Sequence, residues 1–178
     1  MPVNRSRVAA LQLMKNEDLS ENQPTYQLIR KKVGSGLSAL KAFHPDDIIS
    51  PIQWINRQPT PTRWTVQCSD DEHGNLLPVE LRYINHSCQP NVVFDVDANV
   101  VRAIRPIAAG EEFTFFYPST EWSMDEPFDC NCGAAVCLGR ITGASQLSPE
   151  VLANYELSGV IRRKLAAAKL QVGKSATT

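Results

Sequence analysis

The sequence predicts a mainly β chain built of small sheets that ends in helices. Three observations carry this. Between residues 25 and 117 the apolar residues fall in short runs bounded by Gly, Pro, Asn and Asp, each the length of one strand. Twelve prolines are scattered over the 178 residues, which disfavours a helical bundle. Helix-start signals appear only from Ser148 onward.

Taken in order, residues 1–22 are polar, carry no strong period and read as an arm or short helix. "TYQLIRKK" and "LSALKAF" are strands joined by a tight turn at Gly34 and Gly36, and "DIISPIQWI" is a third. Residues 56–62, "NRQPTPT", form a Pro-rich loop, "RWTVQC" a strand and "DDEHGN" a turn. "VVFDVDANVVRAIRPI" is a hairpin bending at Asp97, Ala98 and Asn99, and "GEEFTFFY" is a strand that follows a turn at Gly110. Residues 118–146 are loop-like. Ser148 as N-cap, Pro149 at the first helical position and Glu150 in the first turn open a helical segment. Ser158 and Gly159 divide it into helices over 149–157 and 160–170, and the tail "GKSATT" reads as disordered.

Composition narrows the function classes. Hydrophobic residues make up 43% and charged residues 21%, as in an ordinary globular chain. Eighteen Lys and Arg against nineteen Asp and Glu leave a net charge of −1, without the basic excess of a general nucleic-acid binder. No apolar run is long enough to span a membrane, so no membrane partner is expected. The N-terminal "RSRVAALQLMKNED" is interrupted by Gln12 and ends in charges, unlike a secretory signal. An intracellular location, cytoplasmic or nuclear, is expected, with the five cysteines as thiols or metal ligands.

Two stretches carry chemistry. "CNCGAAVC" sets Cys130, Cys132 and Cys137 in a C-x-C-x4-C cluster, one ligand short of a closed tetrahedral zinc site. Either Cys88 or Cys68 supplies the fourth. Metal binding would also order a loop too poor in apolar residues to order itself. "RYINHSCQPNVVF" packs Asn85, His86, Ser87, Cys88, Pro90 and Asn91 into seven positions. Cys88 beside His86 invites a nucleophile reading, but no thiol-protease signature surrounds it. Taken one at a time, the glycine pair reads as a turn, His86 as a structural hydrogen-bonder and Tyr117 as core.

Their order along the chain says more. G-S-G (34–36), R-Y-I-N-H-S-C-Q-P-N (82–91), G-E-E-F-T-F-F-Y (110–117) and C-N-C-G-A-A-V-C-L-G (130–139) together resemble the SET-domain methyltransferases with their cysteine-rich post-SET segment. The resemblance covers about residues 25–141, and the lack of a pre-SET segment matches compact stand-alone members. It implies a β-clip fold of small sheets with a pseudo-knot, in which 82–91 threads beneath 110–117. The domains would be an arm (1–24), a SET domain (25–118), a post-SET zinc segment (119–146) and a C-terminal helical extension with its tail (147–178).

The resemblance also implies roles. Ser35, Gly36, Asn85, His86 and Leu138 match residues that hold S-adenosylmethionine, and Tyr117 matches the catalytic tyrosine. Phe94 and Phe115 match an aromatic substrate channel, with Phe115 at a position that governs how many methyl groups are added. One structural Zn2+ per chain would be held by Cys88, Cys130, Cys132 and Cys137. Phe116 stands where the family usually has an acidic residue, Pro118 follows the tyrosine, and the insert over 56–79 is short. The expected activity is methylation of a protein lysine. The alternatives are a SET enzyme acting on a small-molecule acceptor and a non-catalytic interaction module. Apolar Leu152, Tyr155 and Ile161 either pack back on the domain or make a homodimer contact through the C-terminal helices.

Overall fold

The protein is described from a computed structural model covering residues 24–32 and 34–175. The expected arm, apart from residue 24, and the last three tail residues lie outside the described residues. Among the described residues, twelve short strands form five separate small sheets.

β1 (Tyr26–Arg30) and β2 (Ser35–Ala39) are an antiparallel pair. Gly34 turns between them with φ +77°, a backbone state that disfavours a side chain. Gly36 serves another purpose. It sits inside β2, where an added Cβ would lie 2.5 Å from Glu112 Oε1 and 3.2 Å from Asn85 Nδ2.

The apolar run 47–55 divides into β3 (Ile48–Pro51) and β4 (Gln53–Gln58), which enter different sheets. β4 reaches into the expected Pro-rich loop, carrying Asn56 at φ 50° across an irregularity in its pairing with β6. β5 is only Val66–Gln67, and β6 (His73–Leu77) begins inside the expected turn "DDEHGN". β6 lies between β4 and β5. β8 (Val92–Asp95) and β9 (Val100–Ala103) form the expected hairpin, with Asn99 left-handed at its bend, and β9 also pairs with β3.

β7 (Asn85–His86) and β10 (Thr114–Phe115) decide the site. They pair in parallel, Thr114 opposite Asn85 and Phe115 opposite His86. Parallel neighbours need a long connection, and here the β8–β9 hairpin supplies it. Asn91 locks the crossing. It accepts from Thr114 N–H (2.8 Å) and donates to Glu112 O (2.8 Å) and Glu111 Oε1 (3.0 Å). The expected meeting of 82–91 with 110–117 takes this form. Only Thr114 and Phe115 of "GEEFTFFY" are strand; Glu112 makes an isolated bridge to Ser38, and Tyr117 already opens a 3₁₀ turn.

Past Tyr117 the chain makes a 3₁₀ turn (Tyr117–Ser119) and the small pair β11 (Phe128–Asp129) with β12 (Arg140–Ile141). α1 is a single turn, Pro149–Leu152, capped by the Ser148 side chain, and stops well short of residue 157. α2 runs Gly159–Ser175. It takes in the first three residues of the tail read as disordered. Gly159 opens this helix rather than breaking it: its N–H meets Asp97 Oδ2 at 3.0 Å, and an added Cβ would lie 2.6 Å from Asp97 Oδ1. A carboxylate there also complements the helix dipole.

The larger core gathers Leu37, Phe43, Leu81, Phe94, Val101 and Phe113 near the crossing. A second cluster joins Phe116, Leu152 and Ile161, with Tyr155 and Leu165 against it. Leu152 and Ile161 are therefore covered by their own chain. No helix among the described residues is long and apolar enough to cross a membrane.

Candidate active site and thiol cluster

A cleft of about 1000 Å³ runs between the insert and the segment that follows Tyr117. Ser35, Asn85, His86, Phe94, Phe115 and Tyr117 all line it. β2 brings Ser35, β8 brings Phe94, and the β7–β10 pair brings Asn85, His86 and Phe115, with Tyr117 two residues past its end.

Asn85 Nδ2 donates to Ser35 O and to Glu112 Oε1, each at 2.8 Å. Lys31 Nζ pairs with Glu112 at 2.6 Å. The bare Gly36 backbone leaves room for this knot of polar groups. The Tyr117 ring packs on Phe115 (centroids 4.6 Å apart) and edge-on to His86 (5.2 Å). Its hydroxyl donates to Ile84 O at 3.3 Å. Burial, opposed by Arg63, pushes its pKa from 10.0 up to about 12, so it stays a phenol. Phe94 and Phe115 are buried with centroids 4.2 Å apart and give the cleft an apolar wall.

His86 is committed on both ring nitrogens. Nδ1 accepts Tyr117 N–H at 3.2 Å, which leaves the proton on Nε2, 3.4 Å from Cys88 Sγ. Burial holds its pKa down to about 4, in keeping with a neutral ring. The imidazole thus bridges the tyrosine backbone and the thiol cluster.

Cys88, Cys130, Cys132 and Cys137 bring their sulfurs within 4.8 Å of one another. A tetrahedral ion with metal–sulfur bonds of about 2.3 Å separates its sulfurs by about 3.8 Å, so the set is close to that spacing and would draw in slightly around such an ion. Cys88 Sγ is 3.9 Å from Cys130 Sγ and accepts Leu138 N–H at 3.4 Å. Burial pushes the Cys88 and Cys130 thiols up. Cys132 is held low: burial raises it, but backbone N–H groups and the neighbouring thiols outweigh that. Between the two candidates for fourth member, the fold brings in Cys88. Cys68 lies in the insert, its thiol directed to Glu72 O at 3.4 Å.

Leu138 stands apart from the other site residues. It lines a second cavity of about 410 Å³ behind the thiol cluster, with Phe116 and Tyr155. Phe116, where an acidic residue is usual, stacks on Tyr155 (centroids 3.6 Å apart, planes 6° from parallel), and Tyr155 O–H donates to Cys88 O at 2.9 Å. The C-terminal segment explains that departure.

Comparison with known proteins agrees with this geometry. Residues 7–118 match the family model described as SET domain. The chain belongs to the SET-domain family. It is 43% identical over 157 residues to methyltransferase flvH of Aspergillus flavus, covering 86% of this chain and 88% of that protein. Over 65 residues it is 42% identical to an H3 lysine-4 specific histone-lysine N-methyltransferase of Emericella nidulans, covering 33% of this chain but only 5% of that one. In solved structures the fold matches KRYPTONITE in complex with mCHH DNA, an H3(1-15) peptide and SAH (TM-score 0.50, 20% identity, 68% of this chain and 30% of that one). The chain is a SET-type methyltransferase using S-adenosylmethionine.

Several residues at this SET site escape a reading by motif. Glu112 holds Asn85 and Lys31. Arg82 lies 5.2 Å from the Trp64 ring and 4.9 Å from the Tyr83 ring, with no carboxylate partner among the described residues. Trp64, Arg82 and Tyr83 all line the cleft. The available signal was an aromatic beside Arg63 in a short insert, and Arg82 and Tyr83 opening the N-H-S-C run.

Proposed function

We propose that the protein is an N-methyltransferase acting on an amine, with protein lysine as the leading substrate. The single observation that carries this is the Tyr117 phenol, kept protonated, beside the Phe94–Phe115 wall in one cleft with Asn85 and Ser35. In our reading Ser35, Gly36, Asn85 and the His86 main chain hold S-adenosylmethionine, with Leu138 nearby. The Arg82 guanidinium, which donates to the Tyr83 hydroxyl at 3.0 Å and has no carboxylate partner among the described residues, suits the cofactor's carboxylate. When bound, the cofactor supplies an electrophilic methyl group. Tyr117 orients the acceptor nitrogen. The aromatic wall excludes water and disfavours the ammonium form, whose free pKa is about 10.4. Alignment of this kind supplies much of the rate in such transfers. The four thiolates hold one structural zinc, and His86 ties that cluster to Tyr117.

A second reading is a small-molecule amine as acceptor. It is favoured by the relative of similar length, named only as a methyltransferase, and by the short insert. Incubation with methyl-labelled cofactor and two pools, lysine peptides and small amines, separates the two readings. Label in peptides supports the first and label only in small amines the second. Cofactor binding without label in either pool overturns both.

A further inference from the structure

The walls of the cleft come from distant parts of the chain and are tied at two levels. At the floor lies Glu121, 8% exposed. Its Oε1 accepts Gln67 N–H at 2.9 Å and the Thr120 hydroxyl at 3.3 Å. Its Oε2 lies 3.5 Å from His73 Nδ1. Gln67 returns the contact, its Oε1 accepting Trp122 N–H at 3.1 Å. Gln67 sits on β5, an edge strand of its sheet. The amide that β6 does not take would be buried and unpaired without this carboxylate.

At the rim, Arg63 and Glu126 span the same walls at 3.5 Å, with side chains 65% and 60% exposed. An exposed pair of this kind yields readily, whereas a buried charge must keep its partners. Glu121 is also joined to the reacting end. Its own N–H and that of Thr120 both donate to Tyr117 O at 3.1 Å. With its oxygens so engaged, the carboxylate is poorly placed to take a substrate proton; its influence runs through β5.

We propose that Glu121 is a positioning residue for acceptor selection. It pins β5 of the insert against the Tyr117 turn and so sets the width of the cleft, while the Arg63–Glu126 pair opens and closes at the rim. This rests on reading the cleft as the site of amine methylation.

Two measurements on the full chain test it. Amide exchange at Gln67 reports the pin directly. In Glu121→Ala it should quicken about tenfold or more, with the Phe113 and Ala103 amides unchanged, and Glu121→Gln, which keeps an acceptor oxygen, should restore protection. Methylation of free L-lysine relative to a lysine peptide reports the width. That ratio should shift roughly tenfold in Glu121→Ala and return in Glu121→Gln, whereas a merely structural loss lowers both acceptors alike. Unchanged Gln67 exchange, or an unchanged ratio, overturns the proposal. If Glu121→Ala does not fold, Gln67→Ala, which keeps the backbone bond to Glu121 but loses the side-chain bonds to Trp122, Ser69 and Asp70, must shift the ratio in the same sense or the proposal fails. If the wild type methylates neither acceptor, the amine assignment is what fails, and Gln67 exchange alone decides the pin.

Discussion

Tyr117 and Gly36 show how single atoms set this site. With the phenol pushed up to about 12, Tyr117 does not ionise in the range where an amine near 10.4 loses its proton. Methyl transfer should therefore rise with pH up to about 9–10 with an inflection that belongs to the acceptor. Tyr117→Phe should lower turnover on the order of 100-fold without moving that inflection, as initial rates across pH would show. The sign for stability follows from the same shift. The contribution of the protonated phenol is complete below pH 10 and is lost as the pH rises from 10.0 towards about 12. Gly36→Ala drives a methyl to 2.5 Å from Glu112 Oε1, which Lys31 and Asn85 hold in place. It should destabilise by about 1–3 kcal/mol and weaken binding of S-adenosylmethionine more than it lowers Tm, measurable by calorimetry and thermal melting.

At the scale of elements, the thiol cluster joins β7 to the segment after β11. Cys88→Ser should lose the metal and weaken cofactor binding, while Cys68→Ser should retain about one metal per chain, as elemental analysis would report. The C-terminal segment is a brace for the same region. Tyr155 covers Phe116 and bonds Cys88 O, so Tyr155→Ala should cost about 3 kcal/mol in denaturant unfolding. Asp97 at the start of α2 and Asp70 facing Arg163 dock the helix on the hairpin and on the insert.

For the whole molecule, five small sheets without one large interface depend on crossings and cross-links for rigidity. Chelation of the ion proposed for the thiol cluster should therefore lower Tm and cofactor affinity together. The fall in Tm should depend on chelator strength, because the ion binds the folded form and not a preformed unfolded site.

How much of this was legible in the sequence follows from which interactions are local. The β8–β9 hairpin, the Ser148–Pro149 helix start and the N-H-S-C and C-N-C runs rest on neighbouring residues, and a motif records those. The division of 47–55 into two strands of different sheets left no local mark, because apolar patterning shows burial and not which partner provides it. The same holds for Phe116, read as a departure until Tyr155 lay against it, and for Glu121, an ordinary acid in a loop until the fold buried it under β5. By itself the sequence determined the family, the β character of the chain and the residue types that meet at the cleft. The family resemblance already named Cys88 for the thiol cluster; only the tertiary structure decided that His86 bridges that cluster to Tyr117, and that Leu152 and Ile161 are covered from within. Each of those depends on parts of the chain brought together by the β7–β10 crossing, and contacts of that range are set by packing rather than by neighbouring residues.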